Sequence, residues 1–252
     1  MAEMSPRLAF AIETARTAGQ STISLFRAGA EFAMKSNDSP VTQADLEAER
    51  IVRSEIERRY PGEAVLGEEM GGEEAEDQWT VDPIDGTKSF IAGVPAYATL
   101  LSYEQAGEPV LGVCYFPALD EIVYAERGEG AFWDGEPCRV SGRTELGLSI
   151  LCTGGHLTLS KTGRMAGFLS LAERALGTRG WGDAYGHALV ATGRVEAMVD
   201  PMVNRWDVSA MSVIVREAGG SFTDFSGGEA LSDEAISCAP GVRDAVLEAF
   251  RA

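Results

Sequence analysis

The chain has few of the residues that build zinc or disulfide sites. Its 252 residues include only two histidines and four cysteines, at positions 114, 138, 152 and 238. The cysteines lie far apart and form no Cys-x-x-Cys pair, so neither a zinc knuckle nor a redox motif is indicated. A reduced, cytoplasmic setting is the simplest expectation, because cysteines stay free there.

Long apolar runs and positive charge are also scarce. No apolar run approaches the roughly 18 residues of a membrane-spanning helix, and residues 1–10 lack the apolar core of a secretory signal. The 39 acidic and 21 basic residues give a net charge of −18, which argues against nucleic acid or an anionic membrane as partner. A phosphorylated small molecule stays possible, because divalent cations can reverse the local field.

The apolar pattern predicts a layered α/β protein in two closely joined portions, residues 1–140 and 141–252. In the first portion it predicts helices from Pro6 to about Gly29 and over 43–60, a short strand at 64–66, and antiparallel strands between residues 98 and 133. In the second portion it predicts strands at 149–152, 179–181, 196–199, 221–224 and 235–238, and helices at 161–176, 184–192, 206–218 and 242–250. A composition shift near 141–148 separates the two portions.

The stretch 79–90, WTVDPIDGTKSF, combines two aspartates with a proline and a glycine that restrict or free the backbone. We expect Asp82 at the end of a strand and Asp85 in the turn that follows, because Pro83 fixes its own φ and disfavours helix at Asp82. Gly86 permits backbone geometry in which amide N–H groups face an anion. Taken alone, the stretch is equally compatible with an ordinary turn.

Other acidic residues stand at the ends of predicted elements, where α/β folds place ligands. Asp45 lies at a helix start, Glu68 after a short strand, and Asp207 in the first turn of a predicted helix. Some have a simpler explanation. Asp45 could cap its helix with Thr42, and the negative charge of Asp207 could interact favourably with the helix dipole. Converging carboxylates would repel one another unless cations lay among them, and oxygen donors favour Mg²⁺ or Mn²⁺ over zinc. Phosphoryl transfer to water is the chemistry that such a site indicates.

These motifs together resemble the inositol monophosphatase superfamily of Mg²⁺-dependent phosphatases. The resemblance rests on the spaced set Lys35…Asp38…Thr42…Asp45, Gly67-Glu68-Glu69, Asp82-Pro-Ile-Asp85-Gly86-Thr87, Trp206-Asp207-Val-Ser-Ala210 and Glu217-Ala-Gly-Gly220. It implies a five-layer αβαβα sandwich, hydrolysis of a small phosphate monoester by water that the metal activates, and a homodimer.

The resemblance also implies residue roles. Two Mg²⁺ ions would be held by Glu68, Asp82, the carbonyl of Ile84, Asp85 and Asp207. A third, weaker ion would lie near Glu68 and the 35–38 loop. Asp45 would hydrogen-bond Thr87, and this pair with Glu68 would orient the attacking water. The amides of Gly86 and Thr87 would bind the phosphate.

The substrate is predicted from features that look more like the histidinol-phosphate phosphatase branch of the family, namely Lys88-Ser-Phe, Asp183 and the run 200–206. An anionic Asp183 suits the cationic histidinol phosphate, and Arg205 and Asp207 are further predicted substrate contacts. Asp183 could instead cap its helix. His187, where this branch suggests tyrosine, puts contacts to the substrate imidazole in doubt. The alternatives are an inositol-1-monophosphatase, a broad-specificity sugar or nucleotide phosphatase, and a non-catalytic member, against which the complete ligand set argues.

Overall fold

The structure, a computed structural model, describes residues 4–29, 31–35 and 40–251. Its first half is built on a seven-stranded sheet in the order β3-β4-β5-β6-β7-β8-β9, antiparallel except for the parallel pair β3–β4. The strands are β3 (Ala64–Gly67), β4 (Gln78–Asp85), β5 (Ala98–Gln105), β6 (Glu108–Phe116), β7 (Glu121–Glu126), β8 (Gly130–Trp133) and β9 (Glu136–Cys138). Two further strands, β1 (Phe32–Met34) and β2 (Pro40–Thr42), pair antiparallel with each other.

The second half contains a mixed five-stranded sheet in the order β11-β10-β12-β14-β13. Its strands are β10 (Ile150–Thr153), β11 (Gly177–Arg179), β12 (Ala197–Asp200), β13 (Ser221–Thr223) and β14 (Ala235–Cys238). The helices of the chain are α1 (Pro6–Ala28), α2 (Gln43–Arg59), α3 (Thr87–Ile91), α4 (His156–Lys161), α5 (Met165–Arg174), α6 (Asp183–Ala191), α7 (Arg205–Glu217) and α8 (Arg243–Glu248). A 3₁₀ turn spans Leu146–Leu148.

The apolar faces that these elements bury divide the structure into five layers. Helices α1 and α2 cover one face of the large sheet around Trp79. Helix α7 covers the other face, and α6 packs beside it and against the small sheet at Met198. The far face of the small sheet packs on α5 and α8 around Leu151. The αβαβα sandwich expected from the resemblance is therefore confirmed, with the central helix layer between the two sheets.

Helix and strand boundaries agree with the local signals in most places. Ser5 caps α1 by accepting a hydrogen bond from the Leu8 amide, and Gly29 ends that helix at φ 80°. The helix predicted over 161–176 is present as α5 but begins later, at Met165, because Gly163, at φ 73°, lies in a break that separates it from α4. The strands β1, β2 and β9 were not predicted, since each has only three residues and too little periodicity to stand out.

The boundary at residue 140 stays a prediction, and α7 of the second portion packs on strands of the first. Within residues 4–29, 31–35 and 40–251, no helix is long and apolar enough to cross a membrane.

Candidate metal and substrate site

Three aspartates meet at the end of β4. One carboxylate oxygen from each of Asp82, Asp85 and Asp207 lies within 4.8 Å of the others. Residues three apart in a regular strand point to opposite faces of the sheet. Here Asp82 pairs with Leu100 and Asp85 with Ala98, so β4 carries one extra residue between the two aspartates and a register shift. This bulge explains how both side chains reach one site.

The expected end of β4 at Asp82 is therefore wrong, because the strand continues through the bulge to Asp85. The Thr99 hydroxyl donates to the Pro83 carbonyl at 2.9 Å and holds the irregular segment against β5. Proline suits this position because it has no N–H to leave unpaired in the sheet.

Backbone amides orient each of the three carboxylates. Asp82 Oδ1 accepts a hydrogen bond from the Ile84 amide at 3.0 Å, and Asp85 Oδ2 accepts one from the Ala184 amide at 2.7 Å. Asp207 Oδ2 accepts from the Asn204 amide at 2.7 Å, as in a capping box. The structure therefore places Asp207 in a capping box at the start of α7, which the sequence analysis did not predict, and Oδ1 takes no part in that hydrogen bond.

The local electrostatics favour a cation among these side chains. Burial raises the pKa of Asp82 well above its ordinary value, and the charges of Glu68, Asp85 and Asp207 raise it further. Burial and the charges of Asp183 and Asp207 do the same for the pKa of Asp85, and burial raises the pKa of Asp207 to about 6. Buried carboxylates with hard oxygen donors and mutual repulsion fit Mg²⁺, which would restore their ionised form.

The three aspartates line a cavity of about 190 Å³. Glu68 lines it too, together with Ile84, Gly86 and Thr87. Its Oε1 accepts from Lys35 Nζ at 2.9 Å, and the same ammonium donates to Glu69 at 2.6 Å. Burial raises the pKa of Glu69 to about 7 although Lys35 lowers it. The ammonium of Lys35 therefore lies beside Glu68, where the third ion was expected. Asp38, the other residue of that expectation, lies outside the described residues.

The expected hydrogen bond between Asp45 and Thr87 is absent from the part of the chain described. Asp45 Oδ2 instead accepts from the amide and hydroxyl of Thr42, in a capping box at the start of α2. The Thr87 hydroxyl donates to the Ile84 carbonyl at 3.2 Å. Asp45 Oδ1 is buried without a partner among the described residues. The capping explanation for Asp45 is correct, and its role in orienting water stays a prediction.

A larger cavity of about 570 Å³ is lined by two of the three aspartates, Asp85 and Asp207. Asp183 lines it from the first turn of α6, at φ 56°, and its side chain has no hydrogen bond to the start of the helix among the described residues. The capping alternative for Asp183 is therefore wrong, since Asp85 binds the helix start at Ala184 instead. Burial raises the pKa of Asp183, and the charge of Lys88 on the cavity wall lowers it.

Sequence reasoning missed Asp200 as a site residue. It lies at the end of β12, lines the larger cavity and is 8% exposed. Burial raises its pKa well above the ordinary range, and the charges of Asp183 and Asp207 add to the effect. Its place at a strand end in the small sheet, just before Pro201, was the available signal.

Comparison with known proteins identifies the family. The chain matches the sequence profile of the inositol monophosphatase family over residues 3–251. It belongs to that family. A histidinol-phosphatase from Chlorobaculum parvum is 40% identical over 234 residues, which cover 91% of this chain and 90% of the relative. An inositol-1-monophosphatase from Mesorhizobium japonicum is 35% identical over 209 residues, 81% of this chain and 79% of the relative.

Solved structures agree with this assignment. A Thermotoga maritima IMPase is 34% identical with a TM-score of 0.89, and the match covers 98% of this chain and 97% of that one. The extragenic suppressor protein SuhB from Bartonella henselae is 32% identical with a TM-score of 0.90, over 98% and 99% of the two chains. The protein is thus a phosphatase of the inositol monophosphatase family, whose similar members carry more than one substrate name.

Within this family fold, Arg205 has a protein partner, and its predicted substrate contact stays a prediction. Its guanidinium pairs with Glu104, which is fully buried, through Nε at 2.9 and 3.0 Å and Nη2 at 2.7 Å. Arg205 lines neither cavity. The ion pair fastens the start of α7 to β5 and so fixes Asp207, two residues further on.

Proposed function

We propose that this phosphatase is a Mg²⁺-dependent phosphomonoesterase that converts histidinol phosphate to histidinol. The convergence of Asp82, Asp85 and Asp207 within 4.8 Å carries the first half of the proposal, because only a bound cation makes so close a group of ionised carboxylates favourable. The residues that would hold two Mg²⁺ ions are Glu68, Asp82, the Ile84 carbonyl, Asp85 and Asp207. Bound Mg²⁺ would neutralise phosphate charge and lower the pKa of water.

The chain's own groups would position the reactants. Lys35 donates to Oε1 of Glu68, and the carboxylate that it holds in place would accept a hydrogen bond from the attacking water. Gly86 has the left-handed backbone that Cβ-bearing residues rarely adopt, with φ 78°, and it lines the cavity beside the aspartates. The amides of Gly86 and Thr87 would bind phosphate oxygens, and positioning of this kind supplies much of the rate of phosphoryl transfer.

Two carboxylates in the larger cavity support histidinol phosphate as the substrate. Asp183 and Asp200 both line the wall beyond the metal site, where the alcohol part of the ester would lie. The amine of histidinol phosphate is a cation at neutral pH. Its charge would favour the ionised form of these two carboxylates, whose pKa values burial raises, and the attraction would be strong in a low-dielectric cavity. A polyol offers hydroxyls only and would gain less from these charges.

Inositol 1-phosphate is the second candidate, because the similar relatives include enzymes named inositol-1-monophosphatase. The carboxylates of Asp183 and Asp200 can also accept hydrogen bonds from sugar hydroxyls. A broad-specificity sugar or nucleotide phosphatase would share this chemistry. We also propose a homodimer, as the family resemblance implies, which sedimentation velocity would test.

The deciding experiment is phosphate release measured side by side on histidinol phosphate and inositol 1-phosphate, with Mg²⁺ and with EDTA. We expect Mg²⁺-dependent release with the higher kcat/KM on histidinol phosphate. A higher kcat/KM on inositol 1-phosphate would move the assignment to that substrate. A panel of esters without any metal-dependent release would refute the enzyme proposal as a whole.

A further inference from the structure

His187 is a buried residue of α6 that the site described above does not use. It lies one helical turn after Asp183 and lines the same cavity of about 570 Å³, although its side chain is only 1% exposed. Its Nδ1 is 2.6 Å from the Ser237 hydroxyl on β14. Its Nε2 is buried and has no hydrogen-bond partner among the residues described. A buried polar atom without a partner costs free energy and calls for an explanation.

The bond to Ser237 determines which ring nitrogen carries the proton. If Nδ1 donated to Ser237, the buried serine hydroxyl would have no acceptor among the described residues, and Nε2 would be an acceptor without a donor. If Ser237 donates to Nδ1, Nε2–H is the only polar hydrogen left unpaired. The second arrangement leaves fewer unsatisfied groups and is favoured. Nε2 is then an unpaired, buried hydrogen-bond donor on a ring that lines the cavity.

We propose that His187 is a specificity-determining residue whose Nε2–H donates a hydrogen bond to an uncharged acceptor on the leaving alcohol. For histidinol phosphate that acceptor is the lone-pair nitrogen of the substrate imidazole. This inference rests on the proposed function. It adds a hydrogen bond that recognises the neutral imidazole ring of the substrate, whereas the carboxylates attract its amine. Ser237 is the positioning residue that holds the ring and its tautomer.

The protonation state of His187 suits this role. Burial lowers its pKa to about 3, so the imidazole stays neutral through the working range of most enzymes. Phe222 packs beside the ring with 5.5 Å between centroids and restricts its movement. A fixed, neutral donor is the kind of group that discriminates between substrates with and without an acceptor, because rejection follows when the donor is left unpaired.

The test compares histidinol phosphate with phenylalaninol phosphate, which keeps the amine and the ring shape but lacks the ring nitrogens. His187→Phe should lower kcat/KM about 10-fold on histidinol phosphate and leave it nearly unchanged on phenylalaninol phosphate. His187→Gln, which can place an amide N–H near the position of Nε2, should recover much of the loss. The double variant His187→Phe/Ser237→Ala removes both buried polar groups. It replaces the single variant in the kinetic comparison if the single variant folds poorly.

Two further readouts separate specificity from structure. Calorimetric binding of histidinol to the metal-free protein should weaken about 10-fold in His187→Phe, whereas phenylalaninol binding should not change. Thermal melting reports any loss of stability. If wild-type protein hydrolyses both esters and the variants change both equally, the role of His187 is refuted while the proposed function stands. If wild-type protein hydrolyses neither, both proposals are refuted.

Discussion

Replacing Asp207 by asparagine should stabilise the metal-free protein at neutral pH while removing part of its response to Mg²⁺. Asp207 lies within 4.8 Å of two other carboxylates, and burial raises its pKa to about 6. Asparagine keeps the oxygen that accepts from the Asn204 amide, 2.7 Å from Oδ2 in the native chain, but carries no charge. The substitution therefore isolates the electrostatic cost of the site from its local geometry.

The sign follows from proton linkage. An acid whose pKa is raised on folding contributes stability when protonated, below its unfolded pKa, and loses that contribution as the pH rises through its folded pKa. The difference between a folded pKa of about 6 and the ordinary 3.8 corresponds to about 3 kcal/mol. This is an upper limit, because Asp207 is partly exposed and solvent screens its charge.

At about pH 7.5 the variant should gain up to about 3 kcal/mol of unfolding free energy over the wild type in EDTA, falling to about half of that near pH 5. For a protein of this size the larger figure corresponds to about 6–12 °C in Tm. The assay is thermal unfolding of both proteins in EDTA and in millimolar Mg²⁺ across this pH range. Mg²⁺ should raise the Tm of the wild type more than that of the variant, since it requires ionised ligands.

Asp244→Asn is the matched control, because the Asp244 side chain is 99% exposed. It should show almost no pH-dependent difference from the wild type. An Asp207→Asn variant that is less stable than the wild type at neutral pH in EDTA, or whose advantage does not shrink at lower pH, would refute the reasoning about repulsion in this site.

Three further variants test the other assignments. Asp82→Asn should lower kcat by at least about 10³-fold with Mg²⁺, because metal and electrostatic terms supply most of the rate, and near-normal turnover would contradict its role as a ligand. Asp183→Asn should raise KM for histidinol phosphate much more than for inositol 1-phosphate. An equal rise in KM for both esters would show that the carboxylate does not bind the amine. Glu104→Gln leaves Arg205 without its charged partner and should lower the unfolding free energy by about 2–3 kcal/mol in urea titration; an unchanged midpoint would show that this pair does not stabilise the fold.

Local physics made much of the fold predictable. Ser5 and Gly29 bound α1 through interactions that involve only near neighbours in sequence, and the alternation of helix and strand in the second half indicated layered sheets. Short strands such as β1 escaped prediction because their pairing partners, rather than their own pattern, define them. The break at Gly163 also left too weak a local signal to divide the predicted helix.

The positions of Asp82, Asp85 and Asp207 at the ends or starts of predicted elements indicated carboxylates that meet, and the structure brings these three together. The cation among them stays a prediction. Residue types and turn signals were therefore sufficient to predict the kind of chemistry, because both are local properties of the chain. The partners of the other side chains follow from the packing of distant elements: Arg205 pairs with the buried Glu104 on β5, and Asp200 reaches the cavity from a different sheet. Such partners are distant in sequence, and their choice depends on which elements pack together.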